Sequence, residues 1–363
     1  MNRKLHIVLV GPLPPPYGGM ANQTQQLAEL LRSEGQTVTL VPSNAAYRPH
    51  WVTGIPVLRA LFRLLPYLVV LWRETGSCQL VHVMANSGWS WHLFAAPAIW
   101  IANLRKVPVI VNYRGGEAES FLAASARSVH LTMSKATALI VPSGFLKATF
   151  ERFEMPAAIV PNIVDLRRFR NPEPHRPIRR RLLVARNLEP IYDNESAIRA
   201  FAIVRQIHPD AALTIAGSGP LAGALQSLVD MLGLADSVVF SGRLDRDAMA
   251  NAYREADIAL NPSLVDNMPN SVLEALASGV PVVSTNVGGV PYIVKDEETA
   301  LLVPARSPEA MAAAILRLMD DPALARKLID KGLTEVQAYT WPRVWPVLAA
   351  TYAKASSHVA AVA

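Results

Sequence analysis

Short β-branched runs alternate with helix-period stretches almost from end to end of this chain, and that alternation fixes the architecture before any single motif is read. In the first half the strand-like runs are 5–10, 37–41, 80–84, 107–112 and 138–142, with helical patterns mostly between them. Strand, helix and strand in succession build a parallel sheet with helices on both faces. Around Arg170-Asn-Pro-Glu-Pro-His-Arg-Pro177 the prolines suit neither a helix nor a central strand, so an interdomain linker is expected there. A second series follows at 182–185, 213–216, 238–241, 258–261, 280–284 and 300–303, separated by amphipathic segments such as 196–206 and 221–232. The expected fold is α/β: two Rossmann-type, doubly wound parallel-sheet domains, 1–172 and 173–339, facing across a cleft. The closing stretch 340–363 reads as a last amphipathic helix and tail packing back toward the first domain.

A length of 363 residues fits two cores better than one. With 51% hydrophobic and 18% charged residues the chain has the material to fill both, and no long disordered stretch is expected. The single cysteine, Cys78, excludes an intramolecular disulfide and a cysteine metal cluster, which points to a reducing cytoplasm. Nothing around Cys78 resembles the setting of a catalytic thiol. The N-terminal Met-Asn-Arg-Lys and the apolar run 5–10 have the opening of a signal peptide, but the run is short and ends in Gly-Pro without a cleavage site. It reads as a first buried strand.

Charge is uneven. Residues 1–172 carry 17 Lys and Arg against 8 Asp and Glu, a net +9, whereas 173–363 carry 18 against 21, a net −3. A basic first half suits a phosphorylated acceptor or an anionic lipid surface. Nucleic acid is not expected as a partner, since no zinc finger, RNA-recognition signature or lysine-rich run is present. In segment 55–73, Arg59, Arg63 and Pro66 interrupt the apolar run short of the roughly 20 residues a membrane-spanning helix needs. Two readings stay open there. One is a helix packed on the core; the other is a surface-lying amphipathic helix with Phe62, Leu65 and Trp72 toward acyl chains.

The most informative stretch is Asn261-Pro-Ser-Leu-Val-Asp-Asn-Met-Pro-Asn-Ser-Val-Leu-Glu. A strand ends at Asn261, a loop carries Asp266 and Asn267, and Pro269 marks a helix start. The first-turn N–H groups of that helix suit a diphosphate. Glu274, further along, suits hydroxyls of a ribose or a sugar. Asp266 and Glu274, seven residues apart in between, resemble the E-x7-E motif of retaining glycosyltransferases of family 4, which have the GT-B fold. Gly279-Val-Pro-Val-Val-Ser, Val287-Gly-Gly-Val-Pro, Pro16-Tyr-Gly-Gly, Val141-Pro-Ser, Val160-Pro-Asn, Ala216-Gly-Ser-Gly-Pro and Phe240-Ser-Gly-Arg extend the similarity over nearly the whole chain.

The resemblance implies a hexosyl transfer from a UDP- or GDP-sugar to a glycan or lipid-linked glycan, as in cell-surface polysaccharide synthesis, by an enzyme that is cytoplasmic or peripheral at the inner membrane face. It implies that Glu274 binds the ribose, that Asp266 binds a hydroxyl of the transferred sugar, and that Asn267, Met268, Pro269, Asn270 and Ser271 line sugar and phosphate. Gly217, Gly242 and Arg243 fall in the same donor domain. Arg186 closes the first strand of the second series and is expected to meet the diphosphate. Gly18 and Gly19 follow the first strand, where they serve either close approach to a phosphate or a tight turn.

Three departures from the family pattern stand out. Ile191-Tyr192-Asp193 replaces a lysine usual some five residues after Arg186, so Arg243 or Arg114 is expected to compensate. Aspartate replaces the first glutamate of the motif. Tyr113, Arg114, Gly115 and Gly116 stand where many relatives have a histidine, which makes Tyr113, Arg114 and Glu117 candidates for acceptor or phosphate contact. A surface ion pair is the alternative for Arg114 and Glu117. His82, alternating within its strand, reads as a core histidine rather than a base, and His130 is not needed as one, because in the family the departing phosphate takes the acceptor proton.

No cofactor and no metal are expected. Asp245-Arg-Asp247 has the form of a ligand motif, but its place before a helical run reads as capping. Rival functions are a sugar-nucleotide epimerase, a phosphorylase, which size and the absence of a cofactor-lysine context disfavour, and a nucleotide-sugar-binding protein without catalysis.

Overall fold

In strand β1 (His6–Gly11) five of six residues are buried, and in β3 (Leu80–Ala85) and β4 (Val109–Tyr113) all are. Burial on both faces is the mark of a parallel sheet clothed by helices. A computed structural model describes residues 4–15, 18–45 and 56–362, and the side chains of all of these except 56–61 and 358–362. Pro16 and Tyr17 of the glycine motif, Ile55 and the Arg59 side chain lie outside the described residues.

The chain forms two units: residues 1–162 with 344–363, and residues 163–343. The first holds β1, β2 (Thr37–Pro42), β3, β4, β5 (Ala138–Val141) and β6 (Ala158–Ile159) in one parallel sheet of order β2-β1-β3-β4-β5-β6. The second holds β7 (Arg181–Val184), β8 (Ala212–Ala216), β9 (Val238–Gly242), β10 (Ile258–Asn261), β11 (Val282–Thr285) and β12 (Leu301–Val303) in the order β12-β11-β10-β7-β8-β9. Strand order reverses between β1 and β3 in one and between β7 and β10 in the other. At such switch points the loops diverge and leave a crevice outside the carboxyl ends of the strands.

The proline-rich stretch 170–177 lies in the second unit, where Pro174 presses on Gly279: a Cβ there would stand 2.6 Å from that of Pro174. Helix Trp341–Val362 runs through Pro346 and buries Val344, Leu348, Tyr352 and Ala355. Helix Pro56–Glu74 likewise continues through Pro66, which faces solvent, so the carbonyl it leaves without a helical donor stays open to water. One face of this helix buries Tyr67 and Leu71, and Tyr67 Oη donates to Phe94 O. The other exposes Leu65, Val69 and Trp72. The helix packed on the core is thus the reading the structure shows, with an exposed apolar face opposite. Among the described residues no helix is long and apolar enough to cross a membrane.

Candidate functional site

The second sheet places its polar residues at the switch point. Arg186 follows β7 and Ser263 and Asp266 follow β10, its neighbour. Arg186 Nε and Nη2 donate to Ser263 Oγ at 3.1 and 2.7 Å, Nη2 pairs with Asp266 Oδ2, and the guanidinium lies 4.6 Å over the Tyr192 ring. Ser263 Oγ in turn donates to Asn261 Oδ1, and Asn261 Nδ2 to Ser284 Oγ on β11. The chain of bonds ties the arginine to two adjacent strands. Arg186 and Asp266 are 10% and 13% exposed, so the pair is desolvated and the arginine is held below its usual pKa by burial.

Glu274 is the fifth residue of helix Asn270–Ala277. Burial raises its carboxyl from the usual 4.5 to about 7, opposed by Tyr253 and by the charges of Arg246 and Arg186. Tyr253 is itself fully buried, donates to Ser271 O at 3.0 Å, and is raised by burial and then by the charge of Glu274. Pro269 caps the helix with no side-chain bond to its first turn, and Ser271 Oγ is buried without a hydrogen-bond partner among the described residues. Asn267 and Met268 are buried, Met268 within the apolar core, so that residue has only its backbone to offer a ligand.

The glycine motifs are explained by the backbones they touch. A Cβ on Gly288 or Gly289 would stand 2.2 Å from Asp266 O and 1.7 Å from Asn267 O, and Gly289 N donates to Asp266 O. Val287-Gly-Gly is thus the surface on which the Asp266 loop lies. Gly217 serves Arg186 in the same way, its Cβ position being 1.9 Å from Arg186 O. Gly242 ends β9 at φ +67°.

Arg243, expected along with Arg114 as a substitute for the missing lysine, follows β9 directly. It is exposed, and the cations that act on Glu274 are Arg246, at the start of the next helix, and Arg186. Tyr192 and Asp193, which replace the lysine segment, have their own tasks: Tyr192 stacks on Arg186, and Asp193 caps helix Asn194–Ile207 by accepting from Ser196 N. Asp245 caps the helix beginning at Arg246, accepting from Asp247 N and Ala248 N. Ser263, Tyr192, Tyr253 and Arg246 were not singled out by sequence, although Ser263 lies inside the motif and Tyr192 inside its departure.

In the first unit Gly18 caps helix Gly19–Ser33 in an extended conformation, and open space surrounds both glycines. Neither has positive φ, so a strained turn is not what these glycines serve. Arg114, just beyond β4, donates from Nε to Asn112 Oδ1 at 2.9 Å and from Nη1 to Gln23 Oε1 at 3.0 Å and to Asn162 Oδ1. Burial lowers it to about 10. Tyr113 is a correction: it is fully buried, packs edge-on against Phe150, and its hydroxyl is engaged with Ser87 Oγ, so it shapes the core rather than meeting an acceptor. Glu117 is exposed before helix Ala118–Met133. His82 is fully buried, with both ring nitrogens hydrogen-bonded.

Two family models match the chain: Glycosyltransferase Family 4 over residues 17–168 and Glycosyl transferases group 1 over residues 167–334. An uncharacterized glycosyltransferase of Methanocaldococcus jannaschii is 32% identical over 151 residues, 41% of this chain and 38% of that protein. The chain thus spans well under half the length of that relative. A GDP-mannose-dependent alpha-(1-6)-phosphatidylinositol monomannoside mannosyltransferase of Mycobacterium tuberculosis is 26% identical, the match covering 96% of each chain. Among solved structures, HepE of Anabaena in complex with UDP and glucose is 15% identical and covers 96% of this chain and 99% of that one, with a TM-score of 0.76. That likeness is one of fold.

Proposed function

We infer that this chain, a glycosyltransferase whose first half matches the Glycosyltransferase Family 4 model over residues 17–168 and whose second half matches Glycosyl transferases group 1 over 167–334, is a sugar-transferring enzyme. It moves a hexose from a UDP- or GDP-sugar to a glycan or lipid-linked glycan in cell-surface polysaccharide synthesis. The observation that carries this reading is the convergence of Arg186, Asp266 and Glu274 at the switch point of the second sheet, the position at which doubly wound folds take nucleotides. Mannosyl transfer from GDP-mannose by the mycobacterial relative and the UDP complex of HepE support a nucleotide-sugar donor and leave the base open between the two.

The ribose hydroxyls hydrogen-bond to Glu274. The diphosphate lies at the start of helix Asn270–Ala277, whose N-cap Pro269 offers it no competing side chain, with Ser271 Oγ beside it. Arg186, held in place by Ser263 and Tyr192, meets the charge that grows on the leaving phosphate. Asp266 pairs with Arg186; as phosphate takes over the guanidinium, its carboxylate turns to a sugar hydroxyl.

Transfer is retaining. The bond from the anomeric carbon to phosphate oxygen breaks through an oxocarbenium-like transition state. The acceptor oxygen then bonds to the same face, and its proton passes to the departing phosphate. Helix N–H groups and Arg186 supply the electrostatics, so transfer proceeds without metal, and activity in EDTA matches that in magnesium. The exposed Leu65, Val69 and Trp72, with Arg73 beside them and Arg105 4.7 Å from the Trp72 ring, hold the enzyme at an anionic lipid surface.

The test is a transfer assay with UDP- and GDP-sugars. Glu274→Ala is expected to abolish transfer with the fold retained, and undiminished activity would refute the donor-site assignment. Conversion of the donor with no acceptor present points instead to the epimerase reading.

A further inference from the structure

Arg114 stands at one end of a string of hydrogen bonds whose direction is set at every step. Arginine donates and never accepts. Its Nε–H to Asn112 Oδ1, 2.9 Å, therefore turns the Asn112 amide so that Nδ2 faces His82 Nε2 at 3.1 Å. An amide nitrogen also only donates, so Nε2 is the acceptor and the ring proton sits on Nδ1. Nδ1–H then donates to Tyr352 Oη at 2.8 Å, on the C-terminal helix and 270 residues away in sequence. The half of the string away from Arg114 is anchored. Tyr352 is 2% exposed, meets the His82 ring edge-on at 5.8 Å, and is flanked by Trp345 of its own helix. His82 is wholly buried, and burial together with the charge of Arg114 lowers it to about 3, so the ring stays neutral and the direction holds across the working pH range.

We propose that Tyr352, His82 and Asn112 form a positioning relay through which the C-terminal helix sets the aim of Arg114 at a phosphate group of the substrate. The inference rests on the reading of Arg114 as a phosphate ligand. Three of the four residues are neutral dipoles aligned head to tail, which orient a guanidinium without cancelling its charge. The phosphate comes from one of two sources, the donor diphosphate or a phosphorylated acceptor, and the experiment separates them.

The measurement is calorimetric titration of the full chain with UDP and with GDP, then, at saturating nucleotide, with inorganic phosphate as a probe of acceptor phosphate. Arg114→Gln is expected to weaken one of the two ligand classes. Tyr352→Phe removes a single hydroxyl and is expected to weaken the same class by about three- to tenfold, the worth of one hydrogen bond. In the Arg114→Gln background, Tyr352→Phe has no further effect. His82→Gln, which accepts and donates at corresponding ends, keeps wild-type affinity within about twofold, a fraction of one hydrogen bond, whereas His82→Leu behaves as Tyr352→Phe.

A purely structural role moves melting temperature and leaves this selectivity untouched. The nitrogen-15 spectrum of His82 is expected to show the Nδ1–H tautomer, and the Nε2–H tautomer would overturn the relay. So would equal weakening of both ligand classes by Tyr352→Phe, or an effect that persists without Arg114. If Arg114→Gln changes neither class, the phosphate reading of Arg114 falls and the relay with it, while nucleotide binding through Glu274 stands.

Discussion

The two sheets hold their arginines in opposite ways. Arg186, at the switch point of the second sheet, is stacked on Tyr192 and paired with the carboxylate of Asp266. Arg114, at the end of β4, donates to the side-chain amides of Gln23, Asn112 and Asn162. A carboxylate partner cancels charge and must be displaced when an anion arrives. Amide partners orient a cation and leave its charge in force. On the proposed function the second site exchanges partners, phosphate replacing Asp266, whereas the first keeps its amide partners when phosphate binds.

The largest way to break this contrast is to disturb the loop that carries Asp266. Gly289→Ala sets a Cβ against Asn267 O, a backbone atom 1.7 Å from the ideal position, and is expected to cost about 3 kcal/mol or more and to abolish nucleotide binding. Chemical denaturation and calorimetry check both. Next in size, Arg186→Met leaves Asp266 desolvated and uncompensated, and a loss of about 3 kcal/mol is expected, most of it restored by adding Asp266→Asn. A double-mutant cycle in urea measures that coupling.

Tyr192→Leu sharpens the contrast at smaller scale. It removes the ring under Arg186 and nothing else of the pair, so about 1 kcal/mol, or about fivefold in nucleotide affinity, is expected to go. The smallest effect is protonic. The Glu274 carboxyl is raised in the folded chain, so its contribution to stability is full below its usual 4.5 and is lost as pH rises to about 7. Ribose hydroxyls favour the ionised form. Nucleotide binding near pH 7 therefore releases a fraction of a proton, seen as a heat that varies with buffer ionisation enthalpy, and Glu274→Gln abolishes the release.

The alternation of strands and helices made both sheets legible, because parallel strands buried on two faces are continuous apolar runs. β6 was missed for the converse reason: Ala158 and Ile159 are both exposed and offer no such run. The same double-sided burial hid the fate of Tyr113, since in β4 all five residues are buried and no alternation tells which one reaches the surface. Pro66 interrupts the apolar run as read, and on the solvent side of its helix it does so without ending the helix. Motif spacing pointed to Asp266 and Glu274, and a strand end to Arg186, and the fold brings the three to one switch point. Spacing gave no hint of Tyr253 or of the bond between His82 and Tyr352, because contacts between residues so far apart in sequence are made by the fold and leave no local pattern.

Calorimetric titration of UDP and of GDP into wild type and Glu274→Ala, with and without magnesium, tests the central claim most directly. One nucleotide is expected to bind the wild type equally well with and without magnesium, and Glu274→Ala, still folded, to bind neither. Unchanged binding by the variant, or no binding of either nucleotide by the wild type, would contradict the claim.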